Sequence, residues 1–152
     1  MNIKSASILG CKVSLITLLE LNNYIISKVR DNAKEAILNV NINCINLAQK
    51  YDWMKVLLKN TNIVFCDGDG VRLGASILGT QLPDKITYNR WIWKLAELSS
   101  NNDISWYLFG GTDNVVNASH HILKNKYPKL NISGYRSGYF DDEKDSEKII
   151  KQ

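Results

Sequence analysis

Residues 63–70, reading I-V-F-C-D-G-D-G, constrain the fold of this chain more than any other stretch. Four apolar residues end abruptly in a carboxylate, and glycines then alternate with aspartates. A short apolar run bounded by turn residues reads as a buried strand of a parallel sheet. Residues 71–78 read as a helix, so Asp67 stands at the carboxyl end of a strand, on the loop into a helix. In open α/β sheets that edge is where ligands bind. A carboxylate there, beside glycines that admit another molecule to the backbone, is a candidate base, metal ligand or sugar-hydroxyl acceptor. The alternative is a solvated turn rich in Asp and Gly.

The rest of the chain repeats this alternation. Residues 7–9 and 12–14 flank Gly10-Cys11 and suit a small hairpin. Thr17 and Glu20 have the spacing of a capping box, and Leu18, Leu21, Ile25 and Val29 recur at helical spacing behind them. Residues 35–40 read as a strand, 44–51 and 52–58 as helices, and 90–98 as a helix capped by Asn89. Residues 104–109 form a strongly apolar strand closed by Gly110-Gly111-Thr112. A helix follows with Val115, Ala118, Ile122 and Leu123 on one face, and Pro128 lies past its end. Residues 130–135 are a further strand, and 146–150 have helical character in a charged tail. Strands of five or six residues alternating with helices imply βαβ units. The expected fold is α/β, a Rossmann-like, mostly parallel sheet with helices on both faces and a small N-terminal hairpin. No repeat or linker divides the chain, so residues 1–152 are expected to form a single domain.

Composition excludes several classes. The 152 residues suffice for one real core, and the 45% hydrophobic and 22% charged content is that of a soluble globular protein. The net charge of +4 is scattered rather than clustered, which argues against a nucleic-acid partner. Cys11, Cys44 and Cys66 have no metal-site spacing and are odd in number, so they read as buried thiols in a reducing cytoplasm. No apolar run is long enough to span a bilayer, and Gly10, Lys12 and Glu20 interrupt any signal-peptide pattern.

In a parallel sheet three strand ends converge on one edge. They carry Asn39, Asn41 and Asn43; then Asp67, Gly68, Asp69 and Gly70; then Gly110, Gly111 and Thr112. Amides, carboxylates and a glycine turn suit a sugar or nucleotide. Gly110-Gly111-Thr112 has no Walker Lys and no full G-x-G-x-x-G. It reads either as an anion-binding helix start or as a tight turn capped by Thr112 or Asp113. His120 and His121 are adjacent on a helix and so do not share a face; one solvated and one packed ring is expected. The four tryptophans read as core or interface.

The blocks I-L-G-C-K-V-S, N-V-N-I-N-C-I-N-L-A, D-G-D-G-V, I-L-G-T-Q-L-P-D-K-I-T, Y-L-F-G-G-T and Y-P-K-L-N-I-S-G-Y-R-S-G-Y-F run in this order from about residue 8 to residue 140. In this order and spacing the chain resembles the WecG/TagA/CpsF family of bacterial glycosyltransferases. The resemblance implies an inverting, metal-independent and cofactor-free transferase. Such enzymes move an N-acetylhexosamine, often N-acetylmannosamine, from a UDP donor to a polyprenyl-diphosphate-linked sugar, for teichoic acid, common antigen or capsule. It implies that Asp67 is the catalytic base and that Asn41 matches the Asn of the family's T-x-N motif. Substrate contacts are expected from Asn39, Asn41, Gly68, Gly70, Lys85, Gly110, Gly111 and Thr112. Three positions depart from the family: Asn39 replaces a Thr, Lys85 an Arg, and Tyr88 a Gly.

Family members continue past the G-Y-F block with a donor-binding loop and a membrane-docking appendage. The chain is therefore expected to be truncated, cytoplasmic or at the inner membrane face, prone to self-association, and a poor transferase alone. The run of four apolar residues and D-x-D-x-V also fits the nucleophile motif of Mg²⁺-dependent haloacid-dehalogenase-type phosphatases. A further alternative is an inactive nucleotide-sugar-binding fragment.

Overall fold

Short apolar runs became strands and amphipathic stretches became helices along most of the chain. The computed structural model describes residues 3–83 and 85–150, and the chain divides into two units, Met1–Lys94 and Leu95–Gln152. Among the described residues no helix is long and apolar enough to cross a membrane.

The first unit opens with a hairpin of β1 (Ser5–Ile8) and β2 (Cys11–Ser14), paired antiparallel around a two-residue turn. Helix α1 (Leu18–Arg30) follows, and the Thr17–Glu20 capping box is formed in full. Then come β3 (Ile37–Val40), α2 (Ile42–Lys50), α3 (Asp52–Asn60), β4 (Ile63–Cys66) and α4 (Asp69–Ile77). β3 and β4 pair in parallel, Ile37 opposite Ile63 and Val40 opposite Cys66. All four residues of β4 are buried, as its unbroken apolar run requires.

The outer edge of β4, away from β3, is not left open. The N–H of Val64 donates to Ser14 Oγ at 3.0 Å, and the carbonyl of Cys66 accepts from the N–H of Ile86 at 3.1 Å. These contacts satisfy backbone groups that an uncovered edge would expose. The core joins Ile8, Cys11 and Val13 of the hairpin to Val40, Val64, Ile45, Leu58, Val71 and Ala75. Cys11 and Cys66 are buried as expected, and Cys44 is partly exposed.

Helix α5 (Tyr88–Asn101) begins in the first unit and ends in the second. The second unit continues with β5 (Ser105–Phe109), α6 (Asp113–Lys126), β6 (Asn131–Arg136) and α7 (Asp142–Ile150). β5 and β6 pair in parallel, with a register shift between Trp106 and Tyr107. The fold is therefore α/β and Rossmann-like, with an N-terminal hairpin, as expected. Its parallel strands form hydrogen-bonded pairs, β3 with β4 and β5 with β6.

Three details differ from the pattern read in sequence. α1 buries Leu21, Asn22 and Tyr24, while Leu18 and Val29 are exposed. Asn22 sits inside because its side chain accepts from Trp91 Nε1 at 2.9 Å, a partner 69 residues away. α6 buries Val116 and Leu123, seven residues apart, and exposes Val115 and Ile122. β5 is not a buried strand: Ser105, Tyr107 and Phe109 are exposed. The histidines divide as expected, with His121 exposed and His120 against the Tyr135 ring at 4.8 Å. Trp91 is core, whereas Trp53 is largely exposed.

Candidate functional site

The carboxyl ends of β3 and β4 bring two of the expected loops together. Asp67 follows β4 directly, and its N–H donates to the carbonyl of Val40 at 2.9 Å, extending the parallel pairing by one step. Its side chain is half-buried, and Asn39 Nδ2 donates to Asp67 Oδ2 at 3.0 Å. Among the described residues no other group hydrogen-bonds this carboxylate. One oxygen is thus anchored by an amide, which fixes the rotamer, while the other stays open to a ligand.

Asn41 takes the N-cap of α2, its Oδ1 accepting from the N–H of Cys44 at 2.9 Å. The cap explains its residue type without any ligand, and it leaves the amide nitrogen of Asn41 to make contacts. Gly68 caps α4 at φ +108, a conformation that a side chain would strain. No side chain caps α4, so its first N–H groups keep their affinity for an anion or a polar ligand. Gly70 lies in the first turn of α4, facing Ile42 of α2.

Lys85 binds Asp69 at 2.5 Å at the exposed start of α4. That hydrogen bond, and then the Lys85 and Arg72 charges, hold the Asp69 carboxyl below the usual range against a weaker desolvation. The Cys66 thiol is pushed up to about 11, first by burial. It stays protonated near neutrality and is no nucleophile. Among the described residues no group of three or more His, Cys, Asp or Glu converges to hold a metal ion.

Two residues of this edge went unassigned in the sequence reading. Tyr88 packs on Phe65 and Trp91, with ring centroids 5.6 Å from each. Burial first, then the charge of Asp67, then Cys44 push its phenol up, so Tyr88 remains an O–H donor close to the carboxylate. Arg72 lines a polar cavity of about 300 Å³ with Ser76, Thr80 and Gln81. The signal for Arg72 was its spacing of four from Ser76, which puts both on one face of α4.

In the second unit Gly110, Gly111 and Thr112 stand between β5 and α6. Gly110 has φ +140 and Gly111 φ +65. The Gly110 N–H donates to the carbonyl of Arg136 at 3.1 Å, and the Gly111 carbonyl accepts from Gly138 N–H and Ser137 Oγ at 2.9 and 3.0 Å. Gly110 is therefore tied to its own unit. Thr112 takes the N-cap position of α6 but makes no side-chain cap hydrogen bond.

An α/β frame with an oriented carboxylate at the carboxyl end of a parallel strand, bordered by glycines, is the arrangement of a Rossmann-like protein, whose ligands bind at that edge. Residues 6–152 match the model of the glycosyl transferase WecG/TagA/CpsF family, and the chain belongs to that family. No curated protein matches it.

Proposed function

We propose that this chain transfers an N-acetylhexosamine, such as N-acetylmannosamine, from a UDP donor to a polyprenyl-diphosphate-linked sugar, with inversion. The product would be a teichoic acid or another cell-surface polysaccharide, made at the cytoplasmic face of the membrane. Family membership supports the reaction class. The observation that carries the mechanism is the Asp67 carboxylate, aimed by Asn39 at the end of β4.

Inversion requires the acceptor hydroxyl to attack the anomeric carbon opposite the departing UDP. The C–O bond to the acceptor forms as the bond to the diphosphate breaks, and Asp67 takes the hydroxyl proton. General-base help of this kind is worth about 10²–10⁴-fold. The diphosphate leaves with two electrons and needs positive charge or N–H donors. Lys85 and the start of α4 beside Gly68 and Gly70 are assigned that role. Asn39 and Asn41 are assigned to sugar and carboxylate positioning. The reading invokes no metal or cofactor.

The phosphatase alternative needs its second aspartate to deliver a proton. Asp69 would take that role, yet its bond to Lys85 keeps it ionised and a poor acid. The deciding assay is UDP release from UDP-N-acetylmannosamine with a polyprenyl-diphosphate-linked acceptor. Acceptor-dependent UDP release, slow in the chain alone and lost in Asp67→Asn, is the expected result. Phosphate release from a monoester that requires Mg²⁺, with no UDP release, would overturn it.

A further inference from the structure

Beside the Asp67 loop an apolar groove of about 210 Å³ runs between α2, α4 and the hairpin turn. Its walls are Leu9 of the turn, Ile42 and Ile45 of α2, Gly74 and Ile77 of α4, and Leu78 just past it. Resting on the transferase reading above, we propose that this groove seats the first isoprene units of the lipid-linked acceptor and delivers its diphosphate-sugar head to Asp67.

Three observations point to that occupant. The groove is continuous with the candidate site: Ile42 follows Asn41, and Gly70, which also lines it, ends the D-G-D-G loop. Its head end is the paired N-termini of α2 and α4, of which α4 has no side-chain cap. Those helix ends favour an anion, and Lys85 stands beside them on Asp69, so an apolar trough ends in helix N–H groups and a lysine next to the Asp67 and Asp69 carboxylates. A prenyl diphosphate has that same order of parts.

The third observation is the turn itself. Leu9 is held at φ +49 and Gly10 at φ +80. Two-residue hairpin turns of this kind call for Asn or Gly at the first position, and a Leu there is strained. Leu9 is also more than half exposed. The turn is braced from α2, because Gln49 Nε2 donates to the Leu9 carbonyl at 2.8 Å. A local rule is broken to keep an apolar side chain on the groove wall, which is how a functional surface departs from turn chemistry.

The test uses farnesyl diphosphate, inorganic diphosphate and UDP as separate titrants of the intact chain and three variants. Leu9→Asn relieves the turn and removes a wall. Gly74→Leu fills the groove from a position with nothing within 4 Å of an added Cβ. Ile77→Glu puts a charge at a side chain that is 77% exposed. Farnesyl diphosphate is expected to bind more tightly than inorganic diphosphate. Each variant should weaken it by about tenfold or more, the scale of losing one or two buried methylenes. UDP binding should not change, and Leu9→Asn should melt no lower than the parent.

Equal affinity for the two diphosphates, or farnesyl diphosphate binding unaltered by all three variants, would overturn the proposal. So would a sedimentation result in which the parent self-associates through this face and Ile77→Glu only makes it monomeric. That outcome would assign the groove to a second copy. A chain that binds farnesyl diphosphate through the groove but never binds UDP would leave the groove in place and remove the transferase reading.

Discussion

Asn39 and Asp67 meet on one face of the β3–β4 pair because Asn39 is opposite Phe65 and Asp67 lies two residues further on. Side chains alternate along a strand, so residues 65 and 67 share the face of residue 39. The diagonal places amide and carboxylate in reach without any loop rearrangement. Replacing Asn39 by Asp would set two carboxylates in the same position, and like charges raise carboxyl pKa values. The acidic limb of the pH–rate profile is expected to move to higher pH in Asn39→Asp. In Asn39→Ala the rate should fall, because the carboxylate loses the amide that holds its rotamer.

Asp67→Asn should lower turnover by at least about 100-fold, the lower range for a general base. Its melting temperature should stay close to the parent's, because the side chain follows a strand rather than filling the core. Parallel turnover and melting measurements check this. Turnover within about tenfold of the parent would remove Asp67 from the base role.

Gly111→Ala is expected to destabilise the fold by about 1–3 kcal/mol. Its added Cβ would lie 2.9 Å from Val115 Cγ1, at a backbone φ of +65. Adding Val115→Ala removes the clash and leaves the backbone strain. The double variant should therefore recover part of the loss in urea denaturation.

The buried hydrogen bond from Trp91 to Asn22 should be costly to break from one side. Trp91→Phe leaves the Asn22 side chain, 2% exposed, without its donor. An unsatisfied buried polar group costs about 1–3 kcal/mol. Asn22→Leu with Trp91→Phe should be more stable than Trp91→Phe alone, and a double-mutant cycle measures the coupling.

Stability should fall at both ends of the pH range through Tyr24 and Glu35. The two side chains are hydrogen-bonded, and Lys28 bridges to Glu35 at 3.0 Å. Burial first, then Glu35, pushes the Tyr24 phenol up to about 12. The folded chain thus keeps a proton that the unfolded chain releases near pH 10. This contribution is complete below about pH 10 and disappears as pH rises towards 12. Glu35 is held below the usual range, chiefly by the Tyr24 hydrogen bond. Its contribution is present above about pH 4.3 and is lost as pH falls below that. Tyr24→Phe should flatten the alkaline limb of melting temperature against pH.

Most elements of this fold were legible because each carries a local cause. The Thr17–Glu20 box starts α1, the apolar run 63–66 makes β4, and Pro128 lies past α6. What was not legible depends on distant partners. Nothing near Asn22 announces that Trp91 will satisfy it, and so the buried face of α1 was read one residue off. Residues 104–109 are apolar enough for a buried strand, but half of β5 faces outward. Asp67 was readable as a site residue from its place after β4. Tyr88 was not, because its nearness to Asp67 comes from packing on Phe65, 23 residues away in sequence.

The contact of Ser14 with Val64 makes one amide a gauge of the hairpin's attachment. The Val64 N–H is held by a side-chain oxygen of β2, not by a backbone ladder. Deuterium can reach it when β2 lifts away, even while the β3–β4 pairing stays closed. Its exchange rate therefore measures hairpin detachment apart from global unfolding. Leu9 rides on the same hairpin, so a molecule seated against it should slow exchange at Val64 before it alters any amide in the second unit.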